Sequence, residues 1–107
     1  MFIYSVTVSL NPEVEQEWLD YMRTTHIKDV LATNCFIECK LSRVHGEEEY
    51  GVTYSIMYLM PSEEKYNEYQ TQFAPALQKD HIDKFEGKFA TFRTTLSVIE
   101  HFTHDAR

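Results

Sequence analysis

The sequence contains little glycine, proline or cysteine and no long apolar run. Three glycines and three prolines among 107 residues are too few for a disordered or low-complexity chain. No apolar stretch approaches the roughly 18 residues that a membrane-spanning helix needs. The opening MFIYSVTVSL lacks a basic leader and a small-residue cleavage site, so we expect no signal peptide. With 43% hydrophobic residues, the chain predicts one globular domain over residues 1–101 and a tail over 102–107.

Basic residues are also scarce, since ten Lys and Arg face seventeen Asp and Glu. The formal net charge is −7. Because this charge repels a phosphate backbone, the composition argues against a nucleic-acid partner.

The only two cysteines are Cys35 and Cys39. Four residues along a strand span about 13 Å, beyond the roughly 7 Å over which a disulfide bridges two Cα atoms. We therefore expect free thiols that serve in packing rather than as nucleophiles. Free thiols and the absence of a leader favour a cytoplasmic location.

Hydrophobic periodicity predicts six elements in the order βαββαβ. Residues 2–10 alternate like a strand, and Asn11-Pro12 begins a helix over about 12–32, bent near Thr24 and Thr25. CFIECKLSRV and VTYSIMYLM predict two strands joined by the loop HGEEEYG. Ser62 begins a second helix that Pro75 interrupts, and KFATFRTTLSVIEHF predicts the last strand. This order is typical of a ferredoxin-like α+β sandwich, a four-stranded antiparallel sheet with two helices on one face.

Helices on one face leave the other face of the sheet open. Strand parity predicts that this open face carries Ile3, Ser5, Thr7, Glu38, Lys40, Thr53, Met57, Leu59, Thr91, Arg93 and Thr95. A monomer rarely exposes a large apolar patch, so we expect a homodimer joined through this face. The alternative is an ordinary solvated sheet face.

His26 is the candidate catalytic residue. It continues the inner row of Trp18 and Met22 and lies where the helix is expected to bend. A neutral imidazole there could act as a general base or contact a ligand near pH 7. The structural alternative is a histidine that fills the bend with one hydrogen bond. His81 is expected on a solvated face.

Arg93 is a candidate ligand-binding residue, because it interrupts an otherwise Phe-, Thr- and Leu-rich strand. Its guanidinium could hold a carboxylate with two hydrogen bonds. The structural alternative is a salt bridge to Glu38, possibly across the dimer, because their strands lie at opposite edges of this topology.

Aromatic side chains could line a pocket between sheet and helices, with Trp18, Tyr54 and Tyr58 as further candidate ligand-binding residues and Tyr4 beside them. In a small domain most aromatic rings belong to the hydrophobic core.

The sequence lacks HExxH, paired CxxC, a phosphate-binding glycine loop and GxSxG, and we expect no metal site. An RNA-binding sheet is disfavoured, since YGVTYSIMY lacks the basic residue that begins that motif.

Trp18, His26 and the segments VLAT, TYS, AP and FRTTL together resemble a small bacterial family known as domain of unknown function 4286. The resemblance extends to about residue 101, and its motifs are tied to no established reaction. The order of elements is also similar to that of the dimeric α+β barrel superfamily. That superfamily includes monooxygenases, haem-degrading enzymes, isomerases and ligand-binding regulators. The resemblance implies a dimer joined through sheet faces and a pocket between each sheet and its helices.

Two functions remain open from the sequence. The first is a cytoplasmic homodimer that binds a small organic molecule, with or without enzymatic turnover and with an unknown cofactor. The second is a non-catalytic protein-interaction or regulatory module. A cavity of at least about 300 Å³ that reaches His26 would favour the first, and a space filled by Trp18 and tyrosine rings would favour the second.

Overall fold

Four antiparallel strands form the sheet that organises the molecule. The structure is a computed structural model, and it describes residues 1–46 and 51–105. The strands are β1 (Phe2–Leu10), β2 (Glu38–Arg43), β3 (Val52–Met60) and β4 (Phe89–Ser97), in the spatial order β2-β3-β1-β4. This arrangement confirms the ferredoxin-like α+β fold. The predicted loop between β2 and β3 falls largely on residues 47–50, outside the described residues.

The helical segments follow the breaks that the sequence predicts. A 3-10 turn (Pro12–Val14) leads into α1 (Glu15–Tyr21), a π-helical turn (Met22–His26) and α2 (Ile27–Leu31). The Asn11 side chain caps the first turn by accepting the backbone N–H of Glu13 at 2.9 Å. The second region divides into α3 (Glu63–Gln72) and α4 (Ala74–Phe85), because Pro75 can stand only in the first turn of a new helix.

The expected bend near Thr24 and Thr25 is the π-helical turn. The N–H of Ile27 donates to the carbonyl of Met22, five residues earlier, and the Thr24 hydroxyl donates to the carbonyl of Asp20 at 2.6 Å. A threonine that bonds the backbone in this way bends a helix, and single π turns are frequent at functional sites. The turn places Met22 and His26 over the sheet.

The core lies between the helices and one face of the sheet. Its buried side chains come from alternate positions of the central strands and from the inner rows of the helices: Phe2, Tyr4, Val8, Leu10, Trp18, Met22, Val30, Tyr54, Ile56, Tyr58, Met60, Tyr69 and Phe85. Both cysteines are free, as expected, with Cys35 buried and Cys39 half-buried.

The predicted parity of β4 is wrong. Arg93 pairs with Val6 and Thr91 with Val8, so Thr91, Arg93 and Thr95 share the helix-covered face. The open face instead receives Phe92 and Leu96, which are 69% and 44% exposed. Amphipathic alternation misleads here because β4 is an edge strand whose inner face is only partly covered by helices.

The start of β2 also differs from the prediction. Alternation along CFIECKLSRV predicts Cys35, Ile37, Cys39 and Leu41 on one face. The strand begins only at Glu38, and the irregular segment before it reverses this parity at Phe36 and Ile37. Phe36 therefore packs on the core, 5.0 Å from the ring of Tyr58, while Ile37 is exposed. Cys39 and Leu41 remain on the inner face, as predicted.

Across residues 1–46 and 51–105, no helix combines the length and the apolar character that crossing a membrane requires.

Candidate functional site

A cavity lies between the sheet and the helices, beside the edge strand β4. Side chains from every strand except β2 and from the π-helical turn, α3 and α4 surround it: Tyr4, Val6, Val8, Met22, His26, Ile56, Tyr58, Tyr69, Gln78, His81, Ile82, Thr91 and Arg93. It reaches His26 and opens to solvent. The predicted residues His26, Tyr58 and Arg93 therefore come together at one place.

The cavity is small in the isolated chain. The empty space between the lining atoms, including the open mouth, is about 490 Å³. The part of this space in which the centre of a water molecule fits is only about 50 Å³. On that measure the space holds roughly three to five waters. The expected volume of at least about 300 Å³ is not reached, because tyrosine rings and Met22 fill much of the interior.

Arg93 supplies the only charge among the described lining residues. It is exposed and lies where the cavity meets solvent. The predicted salt bridge to Glu38 is wrong, since Glu38 lies opposite Leu59 on the other face of the sheet. Leu59 pairs with Ile3 on the open face, whereas Arg93 pairs with Val6 on the helix-covered face. Within residues 1–46 and 51–105, no carboxylate forms a salt bridge with Arg93.

His26 faces the cavity from the end of the π-helical turn. Burial lowers the pKa of its imidazole, although the nearby carboxylates of Asp29 and Asp80 oppose that shift. The Tyr21 hydroxyl lies 3.5 Å from its Nδ1, a long hydrogen bond. His26 is therefore neutral near pH 7 and can accept a proton.

His81 lies in the cavity wall and not on a solvated face, which corrects the prediction. Its Nε2 accepts the indole N–H of Trp18 at 2.9 Å, and its ring lies 5.7 Å from that of His26. Burial, followed by the charges of His26 and Arg93, lowers its pKa to about 4. The sequence did carry a signal, because His81 is seven residues after the buried Ala74 and four before the buried Phe85.

Three tyrosines form the floor of the cavity. The rings of Tyr4 and Tyr58 stack with centroids 5.9 Å apart, and Tyr69 lies 6.2 Å from Tyr4. Burial raises the pKa of both Tyr58 and Tyr69, so both hydroxyls stay protonated. The Tyr58 hydroxyl donates to the Cys39 thiol, which leaves the Tyr69 hydroxyl as the donor available to a ligand. The sequence predicts Tyr58 as a ligand-binding residue but gives no signal that singles out Tyr69.

Trp18 and Tyr54, the other predicted ligand-binding residues, do not line this cavity. Trp18 is fully buried behind His81, with its ring 5.2 Å from that of Tyr54. The Tyr54 hydroxyl donates to Glu15 at 2.6 Å, and Arg43 lies 3.6 Å from the same carboxylate. Among the described residues, no group of three or more His, Cys, Asp or Glu side chains is arranged to hold a metal ion.

The sequence pattern of a known family, the domain of unknown function DUF4286, matches residues 1–99. The chain belongs to the DUF4286 family. No curated protein sequence matches it significantly.

Solved structures share the fold of this DUF4286 chain at low sequence identity. A dimeric ferredoxin-like protein from an uncultured marine organism is 17% identical with a TM-score of 0.70, over 96% of this chain and 98% of that one. SnoaB of Streptomyces nogalater, a cofactor-independent oxygenase, is 8% identical with a TM-score of 0.68, over 96% and 97%. MhuD, solved with two manganese protoporphyrin IX molecules per active site, is 13% identical with a TM-score of 0.69, over 97% and 100%.

These likenesses establish the fold of the DUF4286 chain as that of dimeric ferredoxin-like proteins, some of which are oxygenases or bind porphyrin. One fold supports many activities, so function has to be argued from the cavity itself.

Proposed function

We propose that this protein is a cytoplasmic homodimer that binds a small organic anion in the cavity beside β4. The observation that carries the proposal is the placement of Arg93. Its guanidinium lines a cavity that contains no other charged side chain among the described residues, and no carboxylate within residues 1–46 and 51–105 forms a salt bridge with it.

The chemistry of the lining fits such a ligand. Arg93 offers a planar fork of N–H donors that matches the two oxygens of a carboxylate. Tyr69 adds a neutral hydroxyl donor, while Val6, Val8 and Ile56 provide apolar surface for a ring. No Asp or Glu stands among the described lining residues to repel an anion.

His26 is the candidate for turnover of that ligand. A neutral imidazole beside a cationic guanidinium can accept a proton while Arg93 stabilises the negative charge that develops. SnoaB is an oxygenase that needs no cofactor, so the shared fold can support chemistry by side chains alone.

A porphyrin of the kind bound by MhuD does not fit this cavity. Below its mouth the cavity has room for only a few water molecules, which is too little for a macrocycle. The Nε2 of His81, a nitrogen that could ligate iron, is already bonded to Trp18. A one-ring anion that fills the cavity and its mouth is a better match, with the flexible Met22 and Gln78 side chains adjusting around it.

The homodimer is proposed through the open face of the sheet. A row across three adjacent strands on that face consists of Leu59, Ile3 and Leu96. Met57 lies opposite Ser5 in the next row, and Phe92 lies opposite Thr7 in the row after that. Met57 is 38% exposed and Phe92 69% exposed. A second copy would cover this apolar surface. The fold neighbours that are dimeric ferredoxin-like proteins support the same assembly.

The second candidate function is an interaction module without catalysis. The small open volume favours it, as does the tail after β4, where Ile99 and Phe102 are 98% and 79% exposed. A partner protein could cover these apolar side chains.

Isothermal titration calorimetry with benzoate tests the proposed function, and benzamide serves as the neutral analogue of the same shape. We expect wild-type protein to bind benzoate and not benzamide, and Arg93→Gln to weaken benzoate binding roughly tenfold or more. Arg23→Gln is the matched control, because Arg23 is exposed outside the cavity and its loss changes the net charge equally. Equal binding of both molecules, or none, contradicts the proposal.

A further inference from the structure

The hydrogen bond between Trp18 and His81 determines where His81 carries its proton. The indole nitrogen can only donate, so the Nε2 of His81, 2.9 Å away, must be an acceptor without a proton. A neutral imidazole has one N–H, and in His81 it therefore lies on Nδ1. Tautomers are otherwise hard to assign, because each ring nitrogen can usually play either role.

Trp18 has no freedom to release this bond. It is fully buried, packs against the ring of Tyr54 and makes an edge contact with His81 at a centroid distance of 6.5 Å. A buried indole N–H without an acceptor would be costly, so the bond to Nε2 is maintained. Trp18 thus fixes both the orientation of the His81 ring and its tautomer.

The Nδ1–H of His81 has no hydrogen-bond acceptor within residues 1–46 and 51–105. It is also not sealed from solvent, because no described side-chain nitrogen or oxygen is both buried and unpaired. His81 lines the cavity, and Arg93 is near enough to influence its titration. The free N–H is therefore available to a molecule that enters beside Arg93.

We propose that Trp18 is a positioning residue that holds His81 as a fixed neutral donor, so that His81 Nδ1–H and the Arg93 guanidinium together bind the oxygens of an organic anion. This inference rests on the proposed function and narrows its ligand to a carboxylate or enolate that presents acceptor oxygens. No comparably short hydrogen bond is donated to the ring nitrogens of His26, since the Tyr21 hydroxyl lies 3.5 Å from its Nδ1. His26 is therefore the proton acceptor of the pair. The two histidines thereby have opposite roles.

Two substitutions of His81 separate its two nitrogens. The side-chain amide of Asn lies at the Nδ1 position, so His81→Asn keeps a donor for the ligand but leaves the Trp18 indole unpaired. The longer Gln reaches the Nε2 position, so the amide oxygen of His81→Gln can accept from Trp18 while the Nδ1 position is left without a donor. We expect His81→Gln to weaken benzoate binding roughly tenfold at little cost in thermal stability. His81→Asn should bind benzoate nearly as well as wild type and unfold at a lower temperature.

Nitrogen-15 NMR of the histidine rings tests the tautomer without any ligand. Wild-type His81 should carry its proton on Nδ1, and Trp18→Phe should release the ring to a mixture of both tautomers. A proton on Nε2 in wild type contradicts the inference whether or not benzoate binds. If benzoate binds but His81→Gln binds it as tightly as wild type, the donor role of His81 is wrong. If the tautomer is as expected but benzoate fails to bind, the proposed function fails instead.

Discussion

Arg93 lies directly opposite Val6 in the β1–β4 register, with its side chain on the helix-covered face of the sheet. This placement changes the role that is expected of Arg93. On the open face it would be an interface residue with Glu38 as a natural partner, whereas on the inner face it is a cation beside Tyr58, His26 and His81. Anion binding by Arg93 depends on that placement.

Arg93 should contribute little to stability, since it is exposed and has no salt bridge among the described residues. We expect Arg93→Gln to change the free energy of unfolding by less than about 0.5 kcal/mol in urea titrations. A structural ion pair would instead make the variant clearly less stable. Such a loss of stability would indicate that Arg93 has a structural role and not a ligand-binding role.

The open face should control assembly. Phe92→Glu places a charge on its most exposed aromatic ring, and we expect the wild-type dimer to become a monomer in light scattering after gel filtration. Ala76→Glu adds the same charge at an exposed position of α4 and should leave the dimer intact. A wild-type protein that stays monomeric at high concentration contradicts the proposed dimer.

His81 should make stability depend on pH. Its pKa is about 4 in the folded protein, against about 6.5 when unfolded, so the unfolded chain binds more protons between these values. The free energy of unfolding is therefore not reduced by His81 above pH 6.5, and it decreases as the pH falls from 6.5 towards 4. Because the ring is partly solvated, we expect about 1–2 kcal/mol less stability at pH 5 than at pH 7 from this group.

Urea unfolding at both pH values measures this effect. His81→Gln should show a smaller loss between pH 7 and pH 5 than wild type, while the exposed His45→Gln should keep the wild-type loss. Equal pH dependence in wild type and His81→Gln would mean that His81 is solvated and able to protonate in the folded protein.

Gly51 should be required where β3 begins. Its φ is 154°, and a Cβ there would overlap the carbonyl oxygen of Leu10. We expect Gly51→Ala to lower the free energy of unfolding by about 1–3 kcal/mol. Gly46 also has a positive φ but open space around it, so Gly46→Ala should cost less. A larger effect at Gly46 would contradict the overlap argument.

The fold could be predicted from the sequence because its signals are local. The alternation of residues 2–10, the cap at Asn11 and the break at Pro75 each specify one element, and together they allow few topologies. Even the π-helical turn was foreseen as a bend, since paired threonines compete for the helix backbone.

The site was harder to predict because it depends on how elements meet. The side of the sheet on which Arg93 lies is set by the pairing of β4 with β1, and the polar inner positions of this edge strand look like a solvated face. The bond between Trp18 and His81 joins residues 63 positions apart, which no local pattern reports. Helical spacing could have placed His81 inward, but not beside Trp18.

A crystal structure of the protein grown with saturating benzoate would show whether Arg93 binds an organic anion in the cavity. We expect the benzoate carboxylate within about 3 Å of the Arg93 guanidinium, with its ring over the tyrosines of the cavity floor. A cavity that holds no benzoate, or holds it with the carboxylate turned away from Arg93, would contradict the account.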